Sequence, residues 1–247
     1  MVNTSTEMAK PQVASPSAHR PLRRDAERNR QLILDTAKIV FAQRGLEASL
    51  DEVAHEAGLG VGTVYRRFPN RDALIDALFD DMLASIERIV AESQALPRAW
   101  DGLLHFMTAM LESQGRDKAL RDLMLSRQKA LHLCDMDQEK EDVVRQTVEP
   151  ALYAMIDRAQ AEGDLRPDVV ATDVGVLLIS AVGVVDFTAP VDSEVWRRHL
   201  AVLVDGLRAR PDGMTTVLAP PPLNDEQLDE CMTGWKYGTR DTPRRRS

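Results

Sequence analysis

The chain has 247 residues and a formal net charge of −8, and its apolar share of 44% supports one large core or two smaller ones. Its two cysteines, Cys134 and Cys231, are too few and too scattered for a disulfide framework or a cysteine-rich metal box, which suits a reducing compartment. No N-terminal run has the apolar core of a signal peptide and no stretch is expected to reach membrane-spanning length, so the expectation is a cytoplasmic protein with no membrane partner.

Few aromatics, abundant Leu, Ala, Val, Glu and Arg, and little strand-like alternation point to an all-α fold. Residues 1–22 are rich in Ser, Thr, Ala and Pro, lack a periodic apolar pattern and are expected to form a disordered arm. A first helix runs from near Asp25 to Arg44, with Ile33, Ala37, Val40 and Phe41 on one face and Gly45 as its stop. Around its start, Arg20, Arg23, Arg24, Arg28 and Arg30 form a cationic cluster broken by Asp25 and Glu27, which either meets phosphates or is a solvated helix start. From His19 to Asp72 there are ten Lys or Arg and eight Asp or Glu, whereas the remainder has 21 against 31, so the cations concentrate in this part of an acidic chain.

Ser49 and Glu52 have the spacing of a capping box, which starts a second helix. Val53, Ala54 and Ala57 give it a narrow apolar stripe, and Gly58 ends it through a backbone conformation that glycine adopts cheaply. A third helix begins at Gly60 or Val61 and runs to about Phe68, with Val64 and Phe68 on the buried side and Thr63, Tyr65, Arg66 and Arg67 facing outward or sideways. Gly62 lets the backbone near the helix start approach another molecule closely. Pro69 closes the helix and Asn70 caps the next, where Arg71 is a cation at the unfavourable end of a helix dipole; a bound phosphate supplies a reason for it. Two short helices across a tight turn, the second carrying hydroxyl, aromatic and cationic side chains in one row, have the layout of a helix-turn-helix DNA reader.

From about Arg24 to Leu74 the chain resembles the DNA-binding domain of the tetracycline-repressor (TetR) family of bacterial regulators. The resemblance is carried by the helix RQLILDTAKIVFAQRG, the capped helix SLDEVAHEAG and the run GVGTVYRRFPNRDAL. Gly60 stands where the family often has Ser or Thr, and Val61 where it often has a polar residue. The resemblance implies a three-helix DNA-binding domain over residues 23–70 and a helical ligand-binding and dimerisation domain over residues 71–209. It also implies a homodimer on a palindromic operator in double-stranded DNA, and a small-molecule effector. The residues assigned to DNA are Arg24, Arg28, Ser49, Gly62, Thr63, Tyr65, Arg66 and Arg71. Thr63, Tyr65 and Arg66 would enter or border the major groove, with Arg66 or Arg67 reading a guanine, while Ser49, Tyr65, Arg71 and the N-terminal arginines hold phosphates.

Downstream, Leu74, Leu78, Met82, Ile86 and Ile89 or Val90 keep a helical period from Arg71 to about Ser93, a rod linking the reader to the rest. After Leu96 and Pro97, a helix from Ala99 to Glu112 turns Leu103, Phe106, Met107, Met110 and Leu111 to a core, and another is expected from Lys118 to about Lys129. A longer helix begins in the polar stretch Asp135 to Asp142 and continues through Val144, Val148, Leu152, Met155 and Ala159 to Gly163, with a kink expected at Pro150. Between Asp173 and Asp186 lie twelve uncharged residues, too few to cross a bilayer yet apolar on every side, so one face covers the chain's own core and another needs a partner. Gly175, Leu178, Val182 and Val185, with Leu200 and Leu203 of an amphipathic helix from Ser193 to about Ala209, are expected at a four-helix dimer contact; the alternative is a central helix of a monomer. Residues 210–247 are expected to form a disordered tail.

The helices that enclose the family's pocket carry Trp100, His105, Phe106, Met107, Met110, Met124 and Met155, effector-binding candidates by resemblance and core residues by the plainer reading. His132 and Cys134 are only two prospective ligands, so neither a metal nor a cofactor is expected. No nucleophile, base and orienting residue cluster at a catalytic spacing, which disfavours an enzyme. The expected function is a ligand-responsive transcriptional regulator, a repressor by family habit. The alternative is a ligand-binding or scaffold protein whose reader has lost its DNA affinity, given Gly60 and the acidic body.

Overall fold

In a computed structural model the structure describes residues 19–45, 47–116, 138–210 and 216–237. Their helices are α1 (His19–Arg44), α2 (Leu50–Glu56), α3 (Val61–Arg67), α4 (Arg71–Gln94), α5 (Ala99–Arg116), α6 (Gln138–Ala161), α7 (Ala171–Thr188), α8 (Val195–Asp205) and α9 (Asp225–Tyr237). Among the described residues, strand-like pairing is confined to one isolated bridge between Leu165 and Arg208. The helix expected from Lys118 to Lys129, with Met124, His132 and Cys134, lies outside the described residues.

Two apolar cores organise the helices. The first joins Ile33, Leu34 and Ala37 of α1, Val53 and Ala54 of α2, Val64 of α3 and Leu74 to Phe79 of α4. The second gathers α5 to α8 around Trp100, Phe106, Met107, Met155 and Leu165, and includes Ile89 and Val90 at the far end of α4. A helix of 24 residues is about 36 Å long at 1.5 Å per residue, so α4 reaches from one core into the other as the linking rod the sequence suggested. It meets α5 closely: a Cβ on Gly102 would lie 2.5 Å from the Ser93 carbonyl oxygen.

Four points bear on these expectations. First, α1 begins at His19, so residues 19–22 belong to a helix rather than to a disordered arm. Pro21 stands in its first turn, where the missing N–H has no intrahelical acceptor to lose. Second, α6 runs through an exposed Pro150, the position at which a kink is expected.

Third, α7 extends past Asp173 and Asp186 to 18 residues and, by length and composition alone, is apolar enough to cross a membrane. Its hydropathy has a local account in part: Ala171, Val174, Ala181 and Val185 fill the second core, while Val176 and Phe187 on another side are exposed. Fourth, part of the expected tail is structured as α9. Asn224 and Gln227 cap it reciprocally, each backbone N–H donating to the other's side-chain oxygen at 3.0 and 2.8 Å. Tyr153 donates to Asp225 at 2.7 Å and Arg145 pairs with Asp229 at 2.9 Å, which fastens α9 to α6. The Asp225 carboxylate pushes the Tyr153 phenol up to about 12.

Candidate nucleic-acid interface

The reader's turn is built from local chemistry. The Ser49 hydroxyl accepts from the Glu52 N–H at 3.3 Å while the Ser49 N–H donates to Glu52 Oε2 at 2.7 Å, so the capping box is complete. Those bonds employ the Ser49 hydroxyl assigned to a phosphate. That backbone N–H, followed by Arg44 at 3.0 Å, holds the Glu52 carboxyl below its ordinary value. Ser49→Ala is expected to cost about 1 kcal/mol, read as a lower urea midpoint. A depressed folded-state value stabilises above the unfolded value and is lost as pH falls through the folded one. The stability gap between the parent and Glu52→Gln should therefore be present near neutrality and close in acid.

Gly58, at φ +65°, takes the left-handed turn out of α2, and Gly60 opens α3. Val64, fully buried, and Phe68 pin α3 to the first core, which leaves Tyr65, Arg66 and Arg67 exposed and Thr63 half-buried. A Cβ on Gly62 would meet nothing within 4 Å, so the chain's own packing does not demand glycine there and the space outside the helix start is open. Asp51, first through its charge, raises the Tyr65 phenol above its ordinary value, which keeps the hydroxyl a donor.

The cations around this surface fall into two groups. Arg67 pairs with Glu27 at 3.8 Å and Arg44 with Glu52 at 3.0 Å. Arg71 Nη1 lies 2.9 Å from Glu47, so the cation at the start of α4 has a carboxylate partner in the loop between α1 and α2; a phosphate is not required to explain it. Arg28 and Arg66 are exposed and have no ion pair or side-chain hydrogen bond among the described residues. The Arg24 side chain lies outside the described residues.

Of the effector-binding candidates, Trp100, Phe106, Met107 and Met155 are packed in the second core and Met110 lies half-buried at its edge. The Arg208 guanidinium sits 4.3 Å above the Trp100 ring, whose buried Nε1–H has no hydrogen-bond partner among the described residues. His105 Nδ1 lies 2.9 Å from the Ser93 hydroxyl, and the ring borders a cleft of about 760 Å³ between α1, α4 and α5. Met124 is outside the described residues.

The partner-facing candidates divide differently from expectation. Val185 and Leu200 are buried within the chain's own core, and Gly175 faces Leu228 of α9. Leu178, Val182 and Leu203 are half-buried. The exposed large apolar positions on these two helices are Val176 and Phe187 on α7 and Val195 and Val202 on α8, none of them among the candidates above. Val176, Ser180, Gly183 and Phe187 recur at helical spacing, a signal present in the sequence once the core-facing side is known.

Residues 33–78 match the family described as bacterial regulatory proteins, tetR family, and residues 98–209 match the one described as transcriptional regulator SbtR-like, C-terminal domain. A solved TetR transcription regulatory protein from Mycobacterium vanbaalenii is 32% identical, with 76% of this chain and 100% of that chain covered and a TM-score of 0.55. A solved TetR transcriptional regulator from Streptomyces coelicolor is 30% identical, with 73% and 99% covered and a TM-score of 0.55. An HTH-type transcriptional regulator from Staphylococcus aureus is 38% identical over 85 residues, 32% of this chain and 44% of that protein. The chain thus spans less than half the length of the curated relatives it matches. With a capped helix-turn-helix in front of a helical C-terminal domain and full-length relatives at this identity, the chain belongs to the TetR family of DNA-binding transcriptional regulators and is not an enzyme.

Proposed function

We propose that the chain is a cytoplasmic repressor that binds a palindromic operator as a homodimer and is released by a small-molecule effector. The observation that carries this reading is α3, a short rod pinned by Val64 and Phe68, which offers Arg66 to solvent with no partner among the described residues. A guanidinium in that state can give two parallel hydrogen bonds to guanine O6 and N7 without first breaking an ion pair. Gly62 lets the helix start lie against the duplex, Tyr65 contributes a protonated hydroxyl, and Arg28 and Arg71 reach phosphates on either side.

Release follows from α4. Its early residues belong to the reader core and Ile89 and Val90 to the second core, so a ligand that repacks the second core near Trp100 displaces the rod and re-aims α3. The Trp100 N–H, which has no hydrogen-bond partner among the described residues, is the polar group that would orient such a ligand among Phe106, Met107, Met110 and Met155, and the His105 ring would meet a ligand from the side of the cleft it borders. On a two-fold dimer, a small change in aim alters the separation of the two readers against the pitch of the duplex.

Selection of bound sequences from a random duplex pool tests the reading. It should enrich an inverted repeat whose half-sites are spaced by the helical turn. Enrichment without dyad symmetry would sink the dimer, and no enrichment would sink the reader.

A further inference from the structure

The segment from Thr216 onward lies beyond the C-terminal family match, which ends at residue 209, and it is tied down at named points. Arg166, buried itself, donates from Nη2 to the Thr216 carbonyl at 2.6 Å. Thr172 donates to the Leu223 carbonyl at 2.7 Å, and Leu228 of α9 sits 3.3 Å from where a Gly175 Cβ would be. The segment is thus a strap laid across α6 and the first turns of α7.

Where the strap crosses α7 is informative. Successive residues of an α-helix turn by about 100°, so positions 172, 176, 183 and 187 form one continuous stripe, on the side away from Val174, Ala181 and Val185. Thr172, 4% exposed, is covered by the strap, whereas Val176 is bare and Phe187 is 85% exposed. The strap therefore closes one end of this stripe and leaves the other end, with Phe187, open. If two copies pair stripe to stripe about a two-fold axis perpendicular to α7, the helices run antiparallel, and the open end of each lies over the closed end of the other.

We propose that the strap, residues 216–232, is an element of the homodimer contact, the surface on which the exposed end of a second copy's α7, around Phe187, is seated. This rests on the dimer reading above. It gives Phe187 a partner and gives the C-terminal extension a role in assembly in addition to covering its own protomer.

Sedimentation equilibrium on the full chain, on a chain ending at Arg210, and on full-length Phe187→Asp tests it. The full chain should dimerise, Phe187→Asp should be monomeric at the same concentration, and the shortened chain should dimerise at least tenfold more weakly. Because shortening strips acceptors from Arg166 and Thr172, a full-length Tyr153→Phe, Leu228→Asp variant, checked for unchanged helix content, provides the same comparison and should also weaken the dimer. Undiminished dimer affinity in both strap variants, with Phe187→Asp monomeric, overturns the proposal and leaves the dimer reading standing. A monomeric full chain, or a Phe187→Asp variant that dimerises like the parent, overturns the pairing face and the strap's role with it.

Discussion

Replacing Arg66 with alanine is expected to lower affinity for the selected operator by about 5- to 150-fold, the equivalent of the roughly 1 to 3 kcal/mol carried by one bidentate base contact. The exposed side chain makes no ion pair among the described residues, so the substitution should leave folding stability within about 0.5 kcal/mol of the parent. Two features separate this from loss of a general cation. Affinity for random duplex should fall much less than affinity for the operator, and the change should concentrate at one base pair in each half-site. Arg67→Ala provides the contrast: Arg67 already has Glu27 at 3.8 Å and should give a smaller loss spread evenly over sequences. Fluorescence anisotropy titrations at fixed salt measure both. An Arg66→Ala protein with the parent's affinity and base preference would refute α3 as the reading helix.

The largest stability effect is expected at Gly102. Glycine inside a helix costs about 1 kcal/mol relative to alanine, so a glycine in the first turns of α5 needs a compensating reason. The reason is the crossing with α4: the added Cβ would stand 2.5 Å from the Ser93 carbonyl oxygen, which is backbone and cannot swing aside. Ser93 is held from both sides, its hydroxyl donating to the Ile89 carbonyl at 2.7 Å and lying 2.9 Å from His105 Nδ1. Gly102→Val should therefore force α4 and α5 apart, with an overpacking cost of about 1 to 3 kcal/mol that propensity does not offset. For a chain of this size, each kcal/mol lowers the thermal midpoint by about 2–4 °C. Differential scanning calorimetry on the purified variant reads this directly, and a midpoint equal to the parent's would mean that the crossing yields without strain.

Both predictions show which features a sequence exposes. The Ser49 and Glu52 cap, the Gly58 turn, the anchors Val64 and Phe68 and the Asn70 cap were legible because each is settled within four residues of chain. The ion pair of Arg71 is hidden from a local reading because its partner, Glu47, lies 24 positions away. The crossing at Gly102 and the docking of α9 through Tyr153 and Asp225 are likewise meetings of distant segments, although Leu228, Cys231, Met232 and Trp235 of α9 do keep the spacing of a helix face. On α7 the difficulty was different. A helix apolar on every side has period but no phase, so nothing local said that Val185 points to its own core and Val176 away from it. Leu200 on α8 shows the related limit that an amphipathic face announces burial without saying against what.

The cleft between α1, α4 and α5 bears on how the reader is mounted. Its walls carry Asp35, Lys38, Arg88, Glu92 and His105, and Lys38 reaches Asp81 across it at 3.0 Å. Widening or narrowing a gap lined by charged groups trades one hydrated arrangement for another and uncovers little dry surface, so the restoring torque is soft. The greasy seams on either side, by contrast, resist shear like a crystal. Such a mounting is compliant in swivel and stiff in stretch, which suits the release proposed above, in which α4 moves and α3 is re-aimed.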